Sequence, residues 1–395
     1  MALTVRTATD ADLEQVVALQ VERNGAEIEP MVRVLWADDG VGPGHFSVAD
    51  HDGRVVSSLC LMTETMRMGD VAIPTGQIEF VATAADHERQ GLVRRQMDLV
   101  HEMSRARGDL VQVIGGIPYF YRKFGYEYAV AFPRIRLLSP GVTIESPGGW
   151  TVRRATVDDV DDVVRLEDAV QARVPLIAVR SHAWWEWHVS QPDNGWHVAV
   201  RDGVVHGAAA IGGAPPGYGD VSMLRKLAAD DADAAWSLLA AATLRGKPVA
   251  FEERASLSTA AFGSSHRHPR TYGLYVRVAD VRALIDHLRP VLTERLARSP
   301  RAGTTGELLL SLYRSSLTIR YERGEVVGVD AGPQMRDPVT PGVAGVPPDL
   351  VATLVFGRYG ASGLAERFDD VSLGDTADLM DTFFPALEAD LIFSH

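Results

Sequence analysis

A chain of 395 residues has room for two to four domains at about 100–200 residues each. Its 46% apolar and 23% charged residues are those of an ordinary globular protein, which excludes wholesale disorder and a fibrous repeat. With 52 acidic against 39 basic residues the net charge of −13 opposes a nucleic-acid backbone, and the single cysteine, Cys60, excludes an intrachain disulfide and a cysteine-built zinc site.

The first residues, MALTVRTATDADLEQ, place acidic side chains where a signal peptide needs an apolar core, and no later apolar run approaches the ~20 residues of a membrane helix. The expectation is a cytoplasmic chain in a reducing compartment, with no membrane and no nucleic-acid partner. Thr4-Val5-Arg6, a short strand, leads through Thr9 as N-cap into an amphipathic helix with Asp12, Val16, Val17 and Leu19. At a constant offset the pattern returns as Thr151-Val152-Arg153, then Thr156, Asp159, Val163, Val164 and Leu166. Asp52-Gly53 between Phe46–Ala49 and Val55-Val56 reads as a tight hairpin, and Asp202-Gly203 between His197–Val200 and Val204-Val205 repeats it. Two tandem copies of one α/β domain are the reading.

Ser139-Pro140-Gly141 and Ser146-Pro147-Gly148-Gly149 separate the copies, and Gly263–Pro269 ends the second. A third, α+β unit then opens with the strand Tyr275–Val278. A helix over 280–297 follows, then strands over 307–313 and 317–321, with a hairpin at Arg323-Gly324-Glu325 after the second, and a closing helix over 375–387. The expected domains are 1–145, 146–271 and 272–395.

In the first copy, Gln77–Thr83 reads as a strand, and His87-Glu88-Arg89-Gln90-Gly91-Leu92-Val93-Arg94-Arg95 opens a helix running to about Arg107. A glycine turn at a helix N-terminus presents unpaired N–H groups to an anion such as a pyrophosphate. Past the strand Val111–Ile114 comes Gly115-Gly116-Ile117-Pro118-Tyr119-Phe120-Tyr121-Arg122-Lys123-Phe124-Gly125-Tyr126.

This pair of motifs, in this order, resembles the GNAT family of acyl-CoA-dependent N-acyltransferases. The whole chain is similar to the enhanced intracellular survival (Eis) acetyltransferases of actinobacteria, which join two GNAT-like domains to a sterol-carrier-like domain. The resemblance implies tandem GNAT folds, each a mixed sheet flanked by helices, followed by a sterol-carrier-like α+β domain. It implies acetyl-CoA as default donor, no metal, and acylation of a primary amine, on a small molecule or a peptide, by direct attack in a ternary complex. It also implies a homo-oligomer, up to a hexamer.

Residue by residue, the resemblance makes Tyr121 the acid that meets the departing thiolate. The strand at Val81, Ala82 and Thr83 holds the pantetheine arm and polarises the carbonyl. Arg89, Gln90, Gly91, Leu92, Val93 and Arg94 surround the phosphates, and Gly116 and Ile117 flank the donor. Glu88 departs from the usual loop, where Gln or Arg stands, and a carboxylate there must turn outward or weaken the donor. Two bases compete: Glu79, which by period two shares a face with Gln77 and Val81, and the terminal carboxylate of His395. Glu27, Glu29, Trp36 and Asp38, with Asp39, form the acceptor region, whose acidity favours a cationic amine.

The second copy's equivalent segment, Ser222 to Trp236, has no glycine opening its helix and is acidic, so it reads as a non-catalytic scaffold. Its Trp184, Trp185, Trp187 and Trp196 read as core or interface, and His266 and His268 as loop residues. The third domain would bind a lipid or close one side of the cleft. Two alternatives stand beside the transferase: a biosynthetic acyltransferase taking a longer chain from CoA or a carrier protein, and a non-catalytic small-molecule-binding protein.

Overall fold

The computed structural model describes residues 3–38, 40–139, 142, 144–214, 219–254, 263–268 and 273–391. Two compact units emerge, 1–131 with 273–388, and 132–272 with 389–391. They cut across the boundaries expected from sequence.

In chain order the first unit begins with β1 (Leu3–Thr7), α1 (Leu13–Asn24), α2 (Glu29–Ala37), β2 (Phe46–His51), β3 (Arg54–Met68), β4 (Val71–Thr83), α3 (Leu92–Arg107), β5 (Val111–Ile114) and β6 (Glu127–Ala131). The second unit follows with β7 (Ile135–Leu138), β8 (Thr151–Arg154), α4 (Val160–Gln171), β9 (Leu176–Ala178), α5 (His182–Ser190), β10 (Trp196–Arg201), β11 (Val204–Gly213), β12 (Ser222–Ala229), α6 (Ala232–Thr243), β13 (Val249–Glu252) and β14 (Ser265–Arg267). The chain then returns to the first unit with β15 (Gly273–Val278), and closes with β20 (Ala389–Asp390), which pairs with β9 in the second.

The first sheet runs β1-β2-β3-β4-β5-β15-β6 and the second runs β8-β10-β11-β12-β13-β7-β14. Position for position these are the same order. Each sheet takes its sixth strand from the stretch that follows the other's last: β7 follows β6 but lies between β13 and β14, and β15 follows β14 but lies between β5 and β6. The strand at which sequence opens a third domain is therefore interior to the first sheet.

The repeat extends to single hydrogen bonds. Thr9 and Asp12 form a capping box, as do Thr156 and Asp159, and each aspartate also binds the arginine of the preceding strand, Arg6 at 2.7 and 2.8 Å and Arg153 at 2.7 Å. Both hairpins turn through positive φ, 52° and 87° at Asp52-Gly53 and 52° and 78° at Asp202-Gly203, the geometry of a two-residue turn matched to strand twist.

In the first unit α1 and α2 cover one face of the sheet with Val16, Val17, Val32 and Trp36 against Phe46, Val48, Cys60 and Met62. On the other face Met97 and Val100 of α3 pack on Leu59, Leu61 and Ile78. The register of α3 is pinned by a buried polar chain in which Ser57 Oγ donates to Gln96 Oε1 at 2.6 Å and Gln96 Nε2 donates to the Ser47 carbonyl at 3.0 Å. A buried glutamine satisfied on both ends fixes position where apolar contacts alone would slide.

The rest of the first unit is a four-stranded sheet, β18 (Glu325–Gly332), β17 (Ser316–Glu322), β16 (Gly306–Ser311) and β19 (Val343–Gly345) in spatial order, with short helices. The helix expected over 280–297 is two, Val281–His287 and Arg289–Ala297, because Pro290 has no N–H to continue the first. The last helix, Ala377–Phe383, stops two residues before Pro385, short of the expected Leu387. Among the described residues no helix is long and apolar enough to cross a membrane.

Candidate active site

The site forms where β4 and β5 part. They pair in parallel only through Thr75–Gln77 against Val111–Val113, while β4 continues to Thr83. Phe80, at φ 55°, makes a bulge there, and the pairing of β3 with β4 shifts between Ser58 and Cys60. Gln20 of α1, fully buried, braces the bulge by donating Nε2 to the Phe80 carbonyl at 2.5 Å and to Ser58 Oγ at 2.8 Å.

The bulge corrects one expectation. Across from β4, Met62 stands opposite Gln77 and Cys60 opposite Glu79, on the face of α1 and α2. Gln77 Nε2 donates to Glu79 Oε1 at 2.7 Å. Val81, one bulge later, packs with Leu59, Leu61 and Ile78 on the face of α3, so it does not share a face with Glu79. The extra residue flips the alternation. Ala82 is buried, and its carbonyl oxygen lies 2.8 Å from Ser57 Oγ, which is also 2.8 Å from Thr83 Oγ1. Burial first, then the Glu79 charge, push the Cys60 thiol far up, so Cys60 is neutral.

At the loop before α3, Arg89 and Gly91 both have positive φ, 62° and 75°, and Gly91 is the N-cap. No atom lies within 4 Å of where a Cβ on Gly91 would stand, so the N-terminus of α3 is open. Glu88 is held aside by Arg23 of α1, 2.5 Å away, which meets the requirement that it turn from the loop. Arg89, Gln90 and Arg94 are exposed; Gln90 Nε2 reaches the Asp86 carbonyl at 3.4 Å and the Arg94 guanidinium sits 5.1 Å from the Phe124 ring. Leu92 is buried in the cluster that holds Ala49, Val56, Ala82 and Ala84, and Val93 packs on the Tyr121 side. The open N–H groups and exposed guanidiniums fit a pyrophosphate.

Tyr121 lies in a short helix, Phe120–Phe124, buried among Leu59, Ile78, Met97, Ile114, Tyr126 and Tyr275. A Cβ on Gly116 would stand 2.3 Å from Tyr121 Cε2, so only glycine lets the ring rest there. The Ile117 side chain is 64% exposed and its carbonyl accepts from Phe120 N–H at 3.2 Å.

Sequence missed Tyr275, because it arrives on β15. Its ring is 5.8 Å from that of Tyr121 and stacks on Tyr128 at 3.8 Å, and its hydroxyl accepts from Tyr119 N–H at 2.6 Å. Behind it the Tyr126 hydroxyl and His101 Nε2 are 2.9 Å apart; burial, then the Arg277 charge, bring His101 down to about 4 and keep it neutral.

The acceptor residues are not gathered at one point. Glu29 binds Arg33 at 2.8 Å, which also binds Glu14, and Asp38 Oδ1 accepts from Gly40 N–H at 2.8 Å. Glu27 is exposed on the turn between α1 and α2. Trp36 is 6% exposed and packs on Phe46 with centroids 4.8 Å apart, within the core under α2. Asp39 and His395 lie outside the described residues.

Residues 4–129 match the family model described as an acetyltransferase (GNAT) domain. The chain carries a GNAT acetyltransferase domain. The fold as a whole is shared with a GCN5-related N-acetyltransferase from Kribbella flavida, at 18% identity and a TM-score of 0.70, over 100% of this chain and 98% of that one. It is shared too with a conserved protein from Enterococcus faecalis V583 described as a probable N-acyltransferase, at 13% identity and a TM-score of 0.71 over 100% of both chains. Eis1 from Mycobacterium abscessus aligns at 14% identity and a TM-score of 0.62 over 99% of both chains. No curated protein matches. These identities carry the fold; what the GNAT domain acts on rests on its own residues.

Proposed function

We propose that the chain transfers an acetyl group from acetyl-CoA to a primary amine by direct attack in a ternary complex. The observation that carries this is the parting of β4 from β5 beside an open α3 N-terminus, with Tyr121 seated on Gly116 next to the gap. In this reading the backbone N–H groups from Arg89 to Leu92, with Arg94, hold the pyrophosphate, and the β4 edge at Val81–Thr83 aligns the pantetheine arm. The amine attacks the thioester carbon, the tetrahedral oxyanion is held by backbone N–H groups of β4, and the C–S bond breaks. Tyr121 hands its hydroxyl proton to the thiolate, whose ordinary pKa range of roughly 8.5–10 a tyrosine near 10 can match.

Glu79, partly exposed on the α1 and α2 face, is the preferred base, with the terminal carboxylate of His395 as its rival. The acidic residues Glu27, Glu29 and Asp38 favour a cationic acceptor by their field, not by a shared contact. The same reading takes the second unit as a non-catalytic GNAT-like domain, the C-terminal part of the first as sterol-carrier-like, and the protein as a cytoplasmic homo-oligomer.

The test pairs calorimetry with a free-thiol assay over an amine library. Acetyl-CoA should bind, and thiol should appear only when a suitable amine is present; no binding at about 1 mM donor favours a non-catalytic binding protein. A longer acyl-CoA turning over faster than acetyl-CoA favours the biosynthetic alternative. Glu79→Gln should lower the rate most at low pH, where free amine is scarce, and extension beyond His395 should be mild; the reverse pattern assigns the base to the chain end.

A further inference from the structure

The second unit holds a cation that no carboxylate among the described residues neutralises. Arg225, on β12, has no ion pair and its buried Nε has no hydrogen-bond partner among the described residues. Arg254, buried in the same unit, is by contrast paired: it binds Glu167 at 2.7 and 2.9 Å and also Asp390, which in turn takes Lys226. A guanidinium that forgoes both water and a carboxylate at one of its nitrogens is costly to keep unless something else completes it.

The surroundings say what that something is. Arg225 stands opposite Ala210, and Ala210 opposite Trp196, so the three lie in one row across the sheet face. Ala210 is the small residue between the larger two. Over this row α5 lays Trp185, 5.7 Å from Trp196, and His188, whose Nδ1 accepts from Trp196 Nε1 at 2.9 Å. Trp184 stacks on His188 at 4.3 Å with the Arg180 guanidinium 5.0 Å from its ring. Burial first, then the charges of Arg225, Arg180 and Lys226, cations all, bring His188 down to about 3. His188 is thus a neutral hydrogen-bonding group inside a positive field, and Lys226 is already taken by Asp390.

The same row in the first sheet is Phe46, Cys60 and Glu79. The bulge residues coincide as well, Phe80 at φ 55° and Lys226 at φ 52°, with the pairing shifted at Ser58/Cys60 and at Ala208/Ala210. Arg225 therefore occupies the position of Glu79, with the sign of the charge reversed. Between α4 and α5 lie Arg173 and Arg180, where the first copy has Glu27 before α2 and Glu29 as its first residue.

We infer that the α4–α5 face of the second sheet is a binding site for a small organic anion, a carboxylate or a phosphate ester, held by Arg225 with Arg180 beside it and His188 as a neutral partner. The guanidinium supplies paired N–H donors to either oxyanion. This site stands apart from acyl transfer in the first unit.

The full-length protein is titrated at pH 7.5 and constant ionic strength with benzoate, phenyl phosphate and, as cationic control, benzylamine, following tryptophan fluorescence and calorimetric heat. At least one anion should bind saturably below about 10 mM, and benzylamine should not. Benzoate alone assigns a carboxylate site, and phenyl phosphate alone a phosphoryl site. Arg225→Gln should weaken binding at least about tenfold, while Arg225→Lys, which keeps the charge, should lose less. Absence of saturable binding by both anions overturns the assignment without recourse to any variant, as does unchanged affinity in a folded Arg225→Gln. Should Arg225→Gln fail to fold, equal affinity of wild type and Arg225→Lys for anion and benzylamine alike overturns it.

Discussion

One strand order serves two sheets, yet the space between the fourth and fifth strands is open in the first and filled in the second. Counted from the bulges and the parallel pairings, Gly115 corresponds to Glu252 and Ile117 to Arg254. In the second sheet the Glu252 carboxylate accepts the Lys226 N–H at the bulge, 2.8 Å away, and Arg254 lies buried between Glu167 and Asp390. Glu167 stands where the first copy has Gln20, the neutral brace of its bulge. The α6 N-terminus is closed by the Asp231 side chain, which accepts from Asp233 N–H at 2.7 Å, whereas α3 begins at a bare glycine. A fold can therefore keep its ladder while a handful of substitutions turn a cleft into a salt-bridged core.

The largest effect that separates the two copies is chemical. Tyr121→Phe should lower turnover by about 10²–10⁴-fold with donor KM little changed, since only the proton for the thiolate is lost. Unchanged turnover in a thiol-release assay removes Tyr121 from the mechanism.

What the residues announce on their own is what is local. Thr9 with Asp12 and Thr156 with Asp159 are capping boxes readable from spacing, and so are the Asp-Gly turns, β5 and the start of α3. Partner choice is not local. Ile135–Leu138 and Gly273–Val278 are short apolar strands whose sequences say nothing of which sheet receives them, and so Tyr275 was invisible as a neighbour of Tyr121. The bulge at Phe80 has no marker such as glycine, so alternation read through it placed Val81 on the wrong face. The packing of Trp36 is likewise settled by Phe46, which the chain brings in later. Arg23 and Glu88 meet across a distance in sequence that no pattern spans.

The next effect falls on the filled copy. Burial pushes the Asp390 carboxyl up, but Lys226 and Arg254 outweigh it and hold it below the ordinary carboxylate range. Asp390→Asn leaves Lys226 without its carboxylate and Arg254 with Glu167 alone, and should cost about 3 kcal/mol, the lower end for breaking a buried pair. Denaturant unfolding at neutral pH measures it. The sign with pH follows from the lowered value: this stability is present above about 3.9 and is lost as pH falls further. The variant should therefore converge on wild type in acid. A constant difference down to about pH 2 would mean that packing, not charge, holds β20.

A smaller effect returns to the open copy. Gly91→Asp places a carboxylate and a Cβ at the mouth of α3, in a left-handed conformation glycine tolerates and aspartate adopts less readily. Donor KM should rise at least about tenfold, and since nothing lies within 4 Å of the new Cβ the stability cost is that of the left-handed backbone, about 1 kcal/mol. Equal donor affinity in wild type and variant places the pyrophosphate elsewhere.

The smallest effect asks whether the copies still agree where both are intact. The Arg6 hydrogen bond, with help from Thr9, holds Asp12 at about 2, and Arg153 with Thr156 lowers Asp159 in the same way. Both arginine side chains are more than a third exposed by 35% and 44%, so solvent screens much of the ion pair and the cap hydrogen bonds carry most of the cost. Asp12→Ala and Asp159→Ala should each destabilise by about 1 kcal/mol. They should part in one respect. Arg6 keeps Asp50, 2.9 Å away, after Asp12 is gone, whereas Arg153 has no second carboxylate among the described residues, so the first strand stays tied to its neighbour and the second does not. Hydrogen exchange of the β1 and β8 amides resolves this: Asp159→Ala should speed exchange in β8 more than Asp12→Ala does in β1. Because both carboxyls are lowered, each difference from wild type should shrink as pH falls below about 3.9. Equal acceleration in both strands would show that the Arg6–Asp50 pair contributes nothing measurable.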